Sequence, residues 1–171
     1  QVVSPAQTTT YGLHIVLLDG STKDLSATVT VTSTPPPSGL QWDPRLDPLG
    51  VQLTRSTSSP AWRLIVAKYQ DETESGGNHH IYYKLLNANG TPAANVKLLV
   101  DWKGRSPWDQ PAVVVTDNNG ETNCALWSIL HPELKDGPYF TFVKDQPSDK
   151  VSGMGLPVNR HVNFLLTFQY G

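Results

Sequence analysis

The chain has one cysteine, Cys124, among its 171 residues. No internal disulfide can therefore cross-link it, and export to an oxidising compartment is neither required nor excluded. Within Asn123-Cys124-Ala125-Leu126-Trp127, Cys124 reads as a small buried hydrophobe. Long apolar runs are also missing, so no segment reads as a membrane-spanning helix. No extended segment keeps a 3.6-residue apolar period, which predicts little helix. Charge is sparse at 16% and nearly balanced, with 13 basic against 15 acidic residues and a net charge of -2. No basic cluster stands out, which argues against nucleic acid or an anionic membrane as the main partner. Neither a Gly-x-Ser-x-Gly elbow nor a His-Glu-x-x-His pair occurs, so no hydrolytic motif is present. An initiator Met and a signal peptide are absent as well. The chain opens at Gln1 in mid-pattern and reads as a segment of a longer, multidomain polypeptide.

What is present is β-forming sequence punctuated by turns, including 14 prolines and 13 glycines. Residues 9–18 and 25–32 read as two strands around Asp19-Gly20, a hairpin turn signal. Ser33 to Gly39 carries Pro35, Pro36 and Pro37 and reads as a stiff linker. The expected organisation is a hairpin over 1–34, a proline-rich linker over 35–39 and a β-sandwich over 40–171. In the last region strands are expected at Trp62–Tyr69, His79–Leu86, Val96–Trp102, Ala112–Thr116, Glu121–Ser128, Pro138–Lys144 and His161–Tyr170. A helical turn is expected near His131–Leu134, and long loops at 103–110 and 147–159. Eight or so short strands with turns between them predict an all-β antiparallel sandwich.

Three sets of residues carry a resemblance. Val3-Ser4-Pro5, Thr8-Thr9-Thr10-Tyr11 and Ala27-Thr28-Val29-Thr30-Val31-Thr32 resemble the last two strands of bacterial Ig-like repeats. The block Tyr83 to Leu98, with its Asn89-Gly90-Thr91-Pro92 turn, is followed by Thr116-Asp117-Asn118-Asn119-Gly120 and by Gly137-Pro138-Tyr139. That series is similar to invasin-type Ig-like sandwiches and to the prealbumin-like modules of secreted hydrolases. Trp42-Asp43-Pro44-Arg45-Leu46, Glu74 to His80, Pro147-Ser148-Asp149 and Phe164 to Gln169 resemble a module appended to secreted glycoside hydrolases and cell-wall enzymes. The resemblance implies an Ig-like fold, an extracellular or cell-surface location and a place beside an enzyme. Fold alone does not assign a ligand.

Four chemistries can be weighed. Glycan binding needs exposed rings for stacking and polar groups for hydroxyls. Trp108, Trp102 and Tyr82 are the candidate stacking residues, and His79, Glu74 and Arg105 the candidate polar contacts. The competing reading puts Trp62, Trp102 and Trp127 in the core. Tyr82 and Tyr83 alternate along one strand, so one of them should face out, and the adjacent His79 and His80 should likewise point to opposite faces. A metal could draw on His79, His80 and His161 with Asp71, Glu72, Glu74 or Asp117. No zinc-ligand spacing is present, and calcium is the cation that Asp71, Glu72 and Glu74 would suit. A solvated acidic loop explains the same residues, so no metal ligand or cofactor is assigned. Hydrolysis by Glu74, Asp101 or Glu121 has no specific support, and a non-catalytic module is expected. An internal isopeptide bond would need Lys68 or Lys84 beside Asn163 and Glu121. The expected function is an accessory module that binds polysaccharide or cell-wall glycan. The alternative is a structural spacer without a ligand, and self-association through the strand edges of 9–32 is a third course.

Overall fold

A computed structural model of the chain describes residues 9–29, 39–126, 137–156 and 160–171. It divides into two units, Gln1–Ser38 and Gly39–Gly171. The proline linker and the turn expected near His131–Leu134 fall largely or wholly outside the described residues.

The first unit is a hairpin of β1 (Thr9–Val16) and β2 (Thr22–Val29), paired antiparallel. The connection is wider than a two-residue turn. Leu17 N donates to Ser21 O at 2.8 Å, and Asp19 Oδ1 accepts from Ser21 N and Oγ at 2.9 and 2.7 Å. The second strand accordingly starts at Thr22, three residues before the expected Leu25. The register places Tyr11 opposite Ala27 and Leu13 opposite Leu25 on one face. His14, 2.5 Å from Asp24, and the Thr10–Thr28 pair lie on the other.

The second unit is an all-β sandwich. Its strands are β3 (Gln41–Trp42), β4 (Gln52–Thr54), β5 (Trp62–Gln70), β6 (His80–Leu86), β7 (Lys97–Trp102), β8 (Ala112–Val115), β9 (Glu121–Ala125), β10 (Gly137–Val143), β11 (Lys150–Gly153) and β12 (Asn163–Tyr170). They form two five-stranded sheets, in the orders β4-β11-β10-β7-β8 and β3-β5-β12-β6-β9. The second sheet is mixed, because β12 pairs parallel with β6 and β3 parallel with β5, whereas the sequence predicts antiparallel pairing throughout. A 3-10 turn, Pro44–Leu46, follows β3, and the Asp43 side chain caps its first amide. The described residues contain no α-helix.

Period-2 alternation builds the core. Ile81, Tyr83 and Leu85 from β6 and Phe164, Leu166 and Phe168 from β12 face Leu98, Val100, Tyr139, Val143 and Val151 of the opposite sheet, all buried. In β5 both Leu64 and Ala67 point inward, because an irregularity opposite Thr167 and Phe168 absorbs one residue. A buried polar bridge crosses between the sheets. Tyr83 Oη lies 2.9 Å from Thr141 Oγ1, which donates to Leu99 O at 2.8 Å. Burial drives the Tyr83 phenol far above its ordinary pKa, so it remains a neutral donor.

One end of the sandwich is closed by Asp149, which is fully buried. Its carboxylate accepts from Arg55 Nη1 at 2.5 Å, Arg63 Nη1 at 3.3 Å, Ser56 N at 2.9 Å and Leu64 N at 2.9 Å. A buried carboxylate needs such partners to remain in the fold. Through them it joins the start of β11 to the start of β5 and fixes one sheet over the other.

Candidate functional site

The end opposite Asp149 gathers most of the candidate residues. In the first sheet Trp102 pairs with Tyr139, at the end away from Lys150. In the second, His80 and Asn163 begin β6 and β12 beside the last residue of β5, Gln70. The β7–β8 loop with Trp108 and Arg105, and the β5–β6 loop with Glu74 and His79, therefore emerge at the same end.

The β5–β6 loop is organised by Arg45, a residue the functional reading of the sequence passed over. Its guanidinium donates to Asp43, to Glu74 Oε2 at 2.7 Å and to Tyr69 O at 2.6 Å. The Arg45 hydrogen bonds, helped by backbone amides, hold the Asp43 carboxyl down at about 2. Glu74 Oε2 also accepts from Asp71 N, and Asp71 Oδ1 from the Thr73 amide and hydroxyl. Glu72 faces Arg160 at 3.7 Å. The three acids expected to suit calcium are thus turned to local partners. No group of three or more His, Cys, Asp or Glu side chains converges on a metal position among the described residues. Glu74 serves loop geometry through Oε2, on a side chain that is still 44% exposed.

The histidines depart from the alternation expected of them. His79 precedes the first residue of β6, so strand alternation does not govern it, and neither His79 nor His80 enters the core. The His80 ring stacks on Tyr82, and the His79 ring stacks on His80. His79 Nδ1 lies 3.1 Å from His161 Nδ1. Burial first, and then the neighbouring His79, lower the His80 pKa below its usual value.

Tyr82 faces outward and is half-buried, while Tyr83 fills the core as alternation requires. Around Tyr82 the outer face of β9, β6 and β12 forms a shallow groove of about 530 Å3. Leu165 lies beside Tyr82 in register, and Lys84, Glu121, Asn123 and Thr167 supply polar groups around them. Lys84 Nζ pairs with Glu121 Oε1 at 2.8 Å. These neighbours escaped the sequence reading because strand pairing alone brings them together. Asn163 sits four residues before Thr167, the register partner of Lys84, which is roughly 13 Å along a strand. It is buried against Gln70 and the His80 amide, so the amide does not meet the Lys84–Glu121 pair on which an isopeptide bond would draw.

In the β7–β8 loop the three named residues differ. The ring of Trp102 turns inward, 6.3 Å from the Tyr139 ring, and packs against the core. This removes Trp102 from the stacking set, for the same alternation that buries Leu98 and Val100 carries it inward. Arg105 donates through Nε to Asp101 Oδ1 at 2.6 Å and through Nη1 to the Asp109 carbonyl. Arg105 is a clamp across its loop rather than a free hydroxyl contact. Trp108 is 91% exposed on that clamped loop. Trp127 lies outside the described residues, and Trp62 is buried.

No family model, curated protein or solved structure matches the chain. Its chemistry must therefore be inferred from its own residues. No helix among the described residues is long and apolar enough to cross a membrane.

Proposed function

We propose that the sandwich is a non-catalytic, Ig-like accessory module of an extracellular bacterial enzyme and that it binds polysaccharide or cell-wall glycan. The observation that carries this reading is Trp108, an indole 91% exposed on a loop pinned by Arg105. A flat ring held in place stacks on the C–H face of a pyranose at little entropic cost. Covering roughly 60 Å2 of ring would contribute about 1.5 kcal/mol, near tenfold in affinity. The groove at Tyr82, with amide, ammonium, carboxylate and hydroxyl groups beside an aromatic ring, offers a second position of suitable chemistry.

One observation favours the spacer alternative. With Trp102 turned inward, Trp108 stands as the single displayed ring of its loop among the candidates. Retention of the purified chain on insoluble cellulose, xylan, chitin and peptidoglycan separates the two readings. Glycan binding predicts selective retention that Trp108→Ala or Tyr82→Ala weakens about tenfold. Absence of retention on all four sinks it and leaves the spacer.

A further inference from the structure

The geometry points to a transition-metal site formed by His79 and His161, with two imidazole Nδ1 atoms as protein ligands and water in the remaining positions. The two nitrogens face each other at 3.1 Å, with ring centroids 5.2 Å apart and planes inclined at 46°. With metal–nitrogen bonds of about 2.05 Å, that separation subtends roughly 100° at a shared ion, between octahedral and tetrahedral values. Imidazole nitrogen suits Zn2+, Ni2+ and Cu2+ rather than calcium, which takes oxygen ligands.

Buried groups set this pair in place. His79 O accepts from Leu126 N at 2.7 Å, and His161 O accepts from Ser75 Oγ at 3.0 Å. Ser75 and Asn163 are 3% and 2% exposed. Asn163 Oδ1 accepts from His80 N at 3.0 Å, and its Nδ2 donates to Gln70 Oε1 at 2.9 Å. The two histidines lie 82 positions apart in the chain, yet Ser75, which holds His161 O, accepts from Asn163 Nδ2 at 3.4 Å, and Asn163 holds the amide that follows His79. Such anchoring preorganises ligands before an ion arrives. His80 is not a third ligand through Nδ1, because that atom accepts from His79 N at 3.2 Å. A tautomer with Nδ1–H on one ring and a lone pair on the other allows the observed contact. A divalent ion would require that proton to sit on Nε2, leaving both Nδ1 lone pairs for the metal.

This inference does not depend on the glycan reading. Isothermal titration of the full chain with Zn2+ at pH 7.5 tests it. The expected result is one equivalent bound, weakened at least tenfold in His79→Ala and in His161→Ala. His14→Ala, which alters a separate histidine paired with Asp24, should leave that uptake unchanged. His79→Gln and His161→Gln replace any alanine variant whose melting temperature falls. No uptake of Zn2+, or uptake that survives loss of either histidine, overturns the proposal.

Discussion

Replacing Asp149 by alanine should unfold the sandwich more readily than any surface change of similar size. The carboxylate is fully buried and holds two backbone amides, Ser56 N and Leu64 N, together with two guanidinium groups. Each amide left without an acceptor costs about 1–3 kcal/mol. The side chains of Arg55 and Arg63 are 27% exposed, so water can recover part of their solvation. Arg55 already has one buried nitrogen, Nη2, with no partner among the described residues, and without Asp149 its Nη1 would keep Leu64 O. We therefore expect a loss of about 3–5 kcal/mol for Asp149→Ala, in the range for breaking a buried ion pair. Asp149→Asn keeps one neutral acceptor and should lose about 2 kcal/mol. Urea unfolding followed by tryptophan fluorescence reads both, as a fall in midpoint at constant slope. A loss below about 1 kcal/mol in the alanine variant would show that water replaces the carboxylate, and the account of this closure would be wrong.

Two further outcomes follow from local geometry. Gly120 has φ +71, and an added Cβ would lie 2.4 Å from Leu85 O and 2.9 Å from Ala93 N, so Gly120→Ala should cost about 3 kcal/mol or more. Gly90, at φ +82 with open space around it, should lose only about 1 kcal/mol, and equal shifts in melting temperature for the two would refute the steric explanation. His80 has a pKa depressed in the folded state, so its contribution is complete above the unfolded value of about 6.5 and is lost as pH falls through the lower folded value. Melting temperature should therefore drop between pH 7.5 and 5, and His80→Gln should flatten that slope; parallel slopes in the two proteins would exclude His80 as the cause.

Much of the core was legible because β6, β7 and β12 carry clean alternation. Val162, Phe164, Leu166 and Phe168 alternate along the expected His161–Tyr170 strand and are all buried. β11 was missed because Lys150–Gly153 is short and polar, with Val151 as its sole large apolar residue. The parallel pairing of β6 with β12 joins segments far apart in sequence, and no local signal encodes such a pairing. At the candidate site, the outward Tyr82 and the inward Trp102 both follow from alternation. Trp108 does not, since a loop has no period from which exposure can be read. Arg45 was visible as a lone cation between Asp43 and Leu46, but its reach to Glu74 depends on how the loop folds back.

The place of β12 bears on how such a chain is made. It lies between β5 and β6 and supplies Phe164, Leu166 and Phe168 to the core, so the second sheet has no centre until residues 163–170 exist. During synthesis, β5 (beside β3) and β6 (beside β9 once that is made) must each wait with one edge open through the translation of some eighty residues, at roughly 5–20 residues per second. Long-range pairing of this kind is slow and leaves strand edges open to other chains. Assembly of the module is thus a late event on the ribosome, and a chain released before Asn163 would present two sticky half-sheets in place of one closed sandwich.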